Sequence, residues 1–386
     1  MNPIQQFEKM YSKKPLLQVQ APGRVNLIGE HTDYNEGYVL PIAIQYHITV
    51  LVAPRTDEMV NIHSVDFGKT VSFSLRKPLT KDPHAQWSDY GKGVISEFLQ
   101  LGYTFPGMDF LFFGNVPIAS GLSSSAAVEV AFASALRALD GKNSMSDIEL
   151  IQLCQRAENE FVGMKCGIMD QFISCLGREG HALFLDCRTL EYRVVPFPDK
   201  QYDVVILNTK KKRELHTSDY NERRKQCEEG VRLFQKWMPN VKALRDVSVN
   251  DFQKYKEALP EMVQKRVQHV VEENQRVLDF VEALEKNNET ILGDLLIQSH
   301  ESLRDLYEVS CKELDLMVDI ALNTEGVIGA RMTGAGFGGC AIAMVKKGYE
   351  DKLKQNVLNR YVKETGIQPE IYISTPSEGA KVQWLE

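Results

Sequence analysis

Hydrophobic residues along this chain form short β-type runs and longer helical stripes. The runs are rich in Val, Ile, Phe and Tyr, a composition that predicts strands, at 38–44, 48–52, 60–65, 71–75, 108–114, 204–207 and 340–345. Apolar residues at helical spacing predict helices over 90–101, 128–139, 146–162 and most of 259–323. The chain is therefore expected to combine sheets with helices.

The longest helical region, 259–323, carries apolar residues at heptad-like spacing. They are Val263, Val267, Val270, Val277, Val281 and Leu284. The stripe is short and Asn274 interrupts it, so we interpret it as core or interdomain packing rather than a coiled coil.

A length of 386 residues predicts two domains, which we place at 1–195 and 196–386. The composition is that of a globular protein, with 43% hydrophobic and 25% charged residues. A formal charge of -7 argues against general nucleic-acid binding, which favours a basic surface. No run is long and apolar enough for a membrane span, and seven scattered cysteines without a CxxC pair indicate reduced thiols. We therefore expect a cytoplasmic monomer that binds neither nucleic acid nor membrane.

A polar motif lies near the N-terminus, at 23–34. Glu30, His31 and Asp33 place donors and acceptors on a short bent segment, which suits several hydroxyls of one small polyol. Arg24 adds a fixed positive charge where negative charge could build up during a reaction. The alternative is a solvated turn whose charges pair with one another.

A second motif joins a predicted strand to a predicted helix. It reads Gly121, Leu122, Ser123, Ser124, Ser125, Ala126 and Ala127. Unpaired amides at a helix N-terminus and the helix dipole favour an anion, and the hydroxyls add donors. The segment is therefore a candidate phosphate-binding loop, the alternative being a well-capped helix packed through alanines.

A buried acid is expected on the next helix, which a capping box at Ser146 begins. Glu158 lies on the same stripe as Ile151 and Cys154, and an unpaired buried carboxylate would be very costly. Either an arginine or a metal must satisfy it. Because the preceding loop is a candidate phosphate site, we favour Mg²⁺ held by Glu158 and Ser125.

Two further features have competing interpretations. Asp170 stands in the largely apolar run 166–177 and could be a first-turn cap of a short helix. Residues 334–339 satisfy G-x-G-x-x-G, but a predicted strand follows them where a dinucleotide-binding fold needs a helix. We therefore predict a glycine turn in a sheet, able to bring backbone close to a ligand.

Three segments together carry a family resemblance. Residues 23–41 resemble the signature of galactokinases, members of the GHMP small-molecule kinase superfamily. Residues 121–127 match the phosphate-binding motif of that superfamily, and 331–340 match its third motif. The order and spacing agree, so the resemblance covers essentially the whole chain.

The resemblance implies an α+β fold. Its parts are an N-terminal domain like ribosomal protein S5 domain 2 and a C-terminal ferredoxin-like domain, with the active site between them. It also implies transfer of the γ-phosphoryl of MgATP to the C1 hydroxyl of galactose. Such transfer depends mainly on positioning and charge neutralisation.

Roles for individual residues follow from the resemblance. The sugar would be held by Glu30, His31, Asp33 and Tyr220. The nucleotide would contact Trp87 near the adenine and, at the phosphates, Gly121, Leu122, Ser123, Ser124 and Ser125. Ser125 and Glu158 would hold Mg²⁺, Arg24 would face the developing charge, and Asp170 would face the reacting hydroxyl as a base or an orienting group. Two alternatives are an N-acetylgalactosamine kinase on the same scaffold and a non-catalytic sensor of galactose and ATP.

Overall fold

The computed structural model describes residues 2–117, 120–141, 145–211 and 216–385. The helices are α1 (Pro3–Tyr11), α2 (Asp89–Gln100), α3 (Ser124–Asp140), α4 (Asp147–Arg156), α5 (Met169–Leu176), α6 (His216–Phe234), α7 (Val249–Tyr255), α8 (Glu261–Glu285), α9 (Glu289–Asp305), α10 (Lys312–Leu322) and α11 (Glu350–Thr365). The strands are β1 (Leu17–Asn26), β2 (Tyr38–Val39), β3 (Pro41–Pro54), β4 (Met59–Ser64), β5 (Lys69–Ser74), β6 (Met108–Gly114), β7 (His181–Asp186), β8 (Tyr192–Pro196), β9 (Tyr202–Asn208), β10 (Val327–Thr333), β11 (Cys340–Lys346), β12 (Glu370–Ser374) and β13 (Lys381–Trp384).

The strands form three sheets. A six-stranded sheet has the order β13-β1-β3-β6-β4-β5, with β4 and β6 parallel and the other neighbours antiparallel. A four-stranded antiparallel sheet has the order β10-β11-β9-β12, and β2, β7 and β8 form a small third sheet. Strand β13 pairs with β1, so the end of the chain returns to the N-terminal sheet. The division at 195/196 stays a prediction.

Local patterns located part of the fold, but strands β1, β7, β8, β12 and β13 were not predicted. The strand predicted at 108–114 is β6, and the strands predicted at 60–65 and 71–75 are β4 and β5, which pair antiparallel. The two strands predicted at 38–44 and 48–52 were wrong as separate elements, because β3 runs without a break from Pro41 to Pro54. Gln45, His47 and their neighbours are the more exposed part of this long strand, and their polarity resembled a turn.

Two hydrophobic cores hold the sheets to their helices. In the first, the six-stranded sheet packs on α2 and α3, with Phe110 and Phe132 fully buried against each other. In the second, the four-stranded sheet packs with the long helices, where Leu207 and Val267 share one cluster. The apolar stripe predicted on α8 is buried along its whole length.

Several polar residues predicted from the sequence lie at the ends of helices. The capping box predicted at Ser146 is confirmed, because its hydroxyl accepts the Glu149 amide and the Glu149 carboxylate accepts the Ser146 amide. Helix α4 continues into a π-helical turn, Ala157–Val162, which carries Glu158. Asp170 lies in the first turn of α5.

Among the described residues, no helix is both long enough and apolar enough to cross a membrane. None of the seven cysteines, all of which lie in the described ranges, forms a disulfide.

Candidate active site

A cavity of about 1030 Å³ opens where the loop after β1, the start of α3, the π-helical turn and the start of α5 meet. Its lining includes almost every site residue predicted from the sequence, namely Arg24, Glu30, His31, Asp33, Trp87, Gly121, Ser123, Ser124, Ser125, Glu158, Asp170 and Tyr220. Leu122 is the exception: its side chain lies in the core and its carbonyl accepts the Arg24 amide at 3.0 Å.

Arg24 and Asp170 form a bidentate ion pair at the centre of the cavity. The Arg24 Nε and Nη2 atoms each donate to one Asp170 oxygen at 2.7 Å. The third nitrogen, Nη1, donates to the Gly121 carbonyl at 2.6 Å, and the Ser123 hydroxyl donates to Asp170 Oδ2. Burial acts to lower the pKa of Arg24, but the nearby carboxylates of Asp170 and Glu30 raise it above its ordinary value. The guanidinium thus keeps a fixed charge in a fixed orientation.

The Glu30 side chain connects the first motif to the third. Its Oε1 accepts the Gly334 amide at 2.8 Å and the Thr333 hydroxyl at 2.9 Å, while Oε2 accepts the Asn26 amide group at 3.2 Å. The third motif is a turn between β10 and β11, as predicted. Sequence reasoning did not find the contact, because 303 residues separate Thr333 from Glu30.

His31 lies in an aromatic cluster at the same end of the cavity. Its Nδ1 is 2.9 Å from the Tyr34 hydroxyl, and its ring centroid is 5.7 Å from that of Tyr220. Burial, followed by the neighbouring His269, lowers the pKa of His31 to about 3. The imidazole is therefore neutral at working pH and can serve a hydroxyl as donor or acceptor.

Asp33 is held in an enclosed position. Its Oδ1 accepts the Tyr34 amide at 2.9 Å, and Gly167 lies so close that a Cβ there would be 1.8 Å from Oδ2. Burial and the charge of Asp170 raise the pKa of Asp33 to about 7. This carboxyl can change its protonation state near neutral pH, and glycine at 167 is required for its position.

The start of α3 faces the cavity. Ser123, the N-cap residue, has a left-handed φ of 59° and its side chain makes no capping hydrogen bond to the helix. Its hydroxyl turns to Asp170 instead, so the first-turn amides remain available to an anion. This is the geometry expected of a phosphate-binding loop.

Glu158 and Ser125 are in contact at the floor of the cavity. Glu158 Oε2 also accepts from Gln171 Nε2 at 2.7 Å and from the Cys166 thiol at 3.1 Å. Burial raises the pKa of Glu158, against these hydrogen bonds. A hydroxyl and a carboxylate are hard oxygen donors that fit Mg²⁺, which commonly takes few protein ligands beside phosphate oxygens and water. Within the described ranges no cluster of three or more His, Cys, Asp or Glu side chains could form a complete metal cage.

Glu129 lies behind the Glu158 carboxylate and was missed from the sequence. It is fully buried, and Gln171 Nε2 donates to it at 3.0 Å while also donating to Glu158. Burial and the charge of Glu158 raise the pKa of Glu129 well above its ordinary value. An acid inside the apolar run 126–136 was the available signal.

Trp87 belongs to an aromatic wall at the other end of the cavity. Its ring stacks on Phe67 with 5.8 Å between centroids and contacts Phe112 at 5.7 Å. All three rings line the cavity, and the buried Trp87 Nε1 makes no hydrogen bond. A flat apolar wall that carries one N–H donor without a hydrogen-bond partner suits a heteroaromatic ring.

Comparison with known proteins identifies the family. The galactokinase galactose-binding signature matches residues 5–54, the GHMP kinase N-terminal domain matches 89–178, and the GHMP kinase C-terminal domain matches 280–363. A galactokinase of Clostridium tetani is 45% identical over 375 residues, covering 97% of this chain and 95% of the relative. The chain belongs to the galactokinase family.

Other galactokinases and superfamily structures agree. A Haemophilus influenzae galactokinase is 43% identical over 99% of this chain and 100% of its own length. The crystal structure of Lactococcus lactis galactokinase complexed with galactose has a TM-score of 0.94 at 38% identity, with 98% of each chain covered. A Methanococcus jannaschii mevalonate kinase, 20% identical with a TM-score of 0.68 over 94% of this chain and 99% of that one, shares the fold. The predicted α+β GHMP kinase fold and ATP-dependent sugar kinase class are confirmed, and the findings favour a galactokinase over the two alternatives.

Proposed function

We propose that this chain transfers the γ-phosphoryl group of MgATP to the C1 hydroxyl of α-D-galactose, giving galactose 1-phosphate and ADP. The observation that carries the proposal is the Arg24–Asp170 pair, fixed between the sugar motif and the start of α3. An acceptor hydroxyl and a phosphate bound on either side would meet at this pair.

Four side chains at one end of the cavity would hold the sugar. Glu30, the neutral His31 imidazole and Asp33 come from the loop after β1, and Tyr220 from α6 packs against His31. Carboxylates beside the aromatic cluster of His31 and Tyr220 suit the hydroxyls and the apolar face of a hexose. Binding there fixes the acceptor hydroxyl before reaction, which removes much of the entropic cost of the encounter.

Asp170 and Arg24 would act on the reacting atoms. Both Asp170 oxygens already accept hydrogen bonds, which fix the carboxylate in place. Their remaining lone pairs would orient the sugar hydroxyl and take its proton as the new O–P bond forms. The positive charge of Arg24 stabilises negative charge on the transferring group. The Arg24–Asp170 pair need not rearrange before the reaction, because the Gly121 carbonyl already holds Arg24 in place.

The nucleotide would occupy the other end of the cavity. The amides and hydroxyls at 121–125 would bind the phosphates, and Trp87 would pack near the adenine. Ser125 and Glu158 would hold Mg²⁺, which neutralises charge on the phosphate oxygens when bound. We expect the protein to work as a monomer, which light scattering after size-exclusion chromatography would test.

The decisive experiment is an ADP-release assay with MgATP and galactose, glucose, N-acetylgalactosamine or mevalonate as acceptor. We expect release with galactose, and a loss of about 10²–10⁴-fold in turnover in Asp170→Asn with nucleotide binding retained. Galactose binding without ADP release would overturn the kinase in favour of a sensor. Turnover with only another acceptor would overturn the choice of sugar.

A further inference from the structure

One face of helix α8 lies directly beneath the sugar loop, 26–38. His269, Glu273, Asn274 and Val277 are spaced i, i+4, i+5 and i+8, so they share this face. All four are buried. None of them lines the cavity.

Both ends of the loop hydrogen-bond to this face. Glu273 Oε1 accepts the Gly29 amide at 3.0 Å and the Glu30 amide at 3.4 Å. Asn274 Oδ1 accepts the Tyr38 amide at 2.9 Å. Three backbone amides of the loop therefore donate to side chains more than 230 residues away in sequence.

Glu273 is an ionised carboxylate in a fully buried position. Its other oxygen accepts Arg276 Nε at 2.7 Å, and the Ser299 hydroxyl donates to Oε1 at 2.7 Å. Burial acts to raise its pKa, but Arg276 and His269 lower it to about 2. A charged acceptor binds amides more strongly than a neutral one, so we expect Glu273 to hold the loop more firmly than the neutral Asn274 side chain does.

His269 contacts the backbone carbonyl of Glu30, the residue whose amide Glu273 accepts. Burial lowers its pKa to about 4, so the ring is neutral at working pH. Its Nδ1 accepts from the Ser302 hydroxyl at 2.8 Å, and its Nε2–H donates to the Glu30 carbonyl at 3.1 Å. Both backbone groups of Glu30 are thus held by α8.

The loop also packs closely against this face of α8. A Cβ at Gly37 would lie 2.2 Å from Asn274 Oδ1, and one at Gly29 would lie 2.9 Å from Val277 Cγ2. His31, directly after Glu30, has a left-handed φ of 62°, which a non-glycine residue keeps only where its surroundings impose it.

We infer that Glu273 is a positioning residue for galactose recognition, and that this face of α8 holds the loop in the conformation that presents Glu30, His31 and Asp33 to the sugar. The inference rests on the proposed function for the identity of the ligand. It assigns to α8 a role in substrate affinity rather than packing alone.

Glu273→Gln tests this with Glu272→Gln as its matched control. Glutamine keeps the volume but offers one oxygen, which can serve the loop amides or Arg276 and not both. Glu272 is the adjacent residue, its carboxylate is 3.7 Å from Arg276, and it accepts a hydrogen bond from Gln268 of its own helix rather than from the loop. Both variants remove one negative charge next to the same arginine.

Two readouts are measured on folded protein well below the unfolding temperature. Calorimetric titration gives the dissociation constants for galactose and for MgADP. Hydrogen–deuterium exchange of peptides covering 27–40 reports the loop without any sugar. We expect Glu273→Gln to bind galactose at least about tenfold more weakly, with MgADP within twofold and faster exchange at 27–40, and Glu272→Gln to match the parent.

The inference is overturned if galactose affinity and loop exchange in Glu273→Gln equal those of Glu272→Gln, or if galactose and MgADP weaken equally. If Glu273→Gln does not fold, Asn274→Ala replaces it, with the same expectations for the Tyr38 end of the loop. A parent protein that binds no galactose contradicts the proposed function instead, while the exchange data still test the hold of α8 on the loop.

Discussion

Arg24 and Asp170 face each other through two parallel hydrogen bonds of 2.7 Å, although 146 residues separate them in sequence. The guanidinium is buried, and its third nitrogen is held by the Gly121 carbonyl. Three segments of the chain therefore meet in one rigid, charged unit at the centre of the cavity.

Replacing Arg24 by lysine tests whether this geometry matters beyond its charge. Lysine keeps a positive charge but cannot form the planar two-point contact. We expect turnover to fall about 10²-fold or more while the protein stays folded. Arg55→Lys is the control, because Arg55 makes the same paired contact to Asp57 at 2.7 and 2.6 Å away from the cavity. Equal rates in the two variants would contradict a catalytic role.

Galactose affinity should depend on pH through Asp33. Burial and Asp170 raise the pKa of Asp33 to about 7, whereas His31, with a pKa of about 3, stays neutral. If the ionised carboxylate accepts a sugar hydroxyl, protonation competes with binding. We expect the galactose dissociation constant to rise about tenfold from pH 8 to pH 6. Titrations at several pH values check this, and an unchanged affinity in the parent protein would refute it.

The free energy of unfolding should also depend on pH through Asp33. The pKa of Asp33 is higher in the folded state than its ordinary value. The contribution of the Asp33 carboxyl to folding stability is therefore full below about pH 4 and is lost as pH rises through 7. Asp33→Asn should therefore be more stable than the parent at pH 8, by on the order of a few kcal/mol, but not at pH 4. Urea unfolding at both pH values measures the difference. Asp57→Asn should be less stable than the parent at pH 8, because Arg55 lowers the pKa of Asp57 to about 2.

Local pattern was sufficient for the three motifs and for part of the fold, but it missed strand β1, which carries Arg24. The capping box at Ser146 and strand β6 were predicted correctly because short-range hydrogen bonds and side-chain spacing determine them. The glycine turn at 334–339 was recognised because a strand follows it. Its hydrogen-bond partner, Glu30, could not be found from spacing, since 304 residues separate Glu30 from Gly334.

Buried acids show most clearly what local pattern does not reveal. Glu273 lies within an apolar stripe that was interpreted as packing, and Asn274 was read as an interruption of that stripe. In the structure both accept backbone amides of the sugar loop. A polar residue on a buried helical face signals a distant partner, but only the three-dimensional structure identifies that partner.

Glu158→Gln should raise the Mg²⁺ concentration needed for half-maximal turnover. Glutamine keeps the shape but removes the negative charge that, with Ser125, would hold the metal. We expect an increase of at least about tenfold, matched by weaker Mn²⁺ binding in spectroscopic titrations without sugar. Glu160→Gln lies in the same π-helical turn but is exposed and paired with Lys165 at 2.9 Å, so it should behave like the parent. An unchanged metal requirement in Glu158→Gln would assign the metal to other residues.

Gly167→Ala separates the sugar site from the nucleotide site. The added methyl carbon would stand 1.8 Å from Asp33 Oδ2, and because a carboxylate cannot tolerate that approach, Asp33 or the 166–168 segment must move. Galactose affinity should fall at least about tenfold, whereas MgADP binding, which we propose to involve the start of α3 and Trp87, should change little. Gly68→Ala is the control: it also adds strain, at φ 61°, but its new carbon meets nothing within 4 Å. If Gly167→Ala binds galactose normally, the position of Asp33 does not limit sugar recognition, and its role in the sugar site fails.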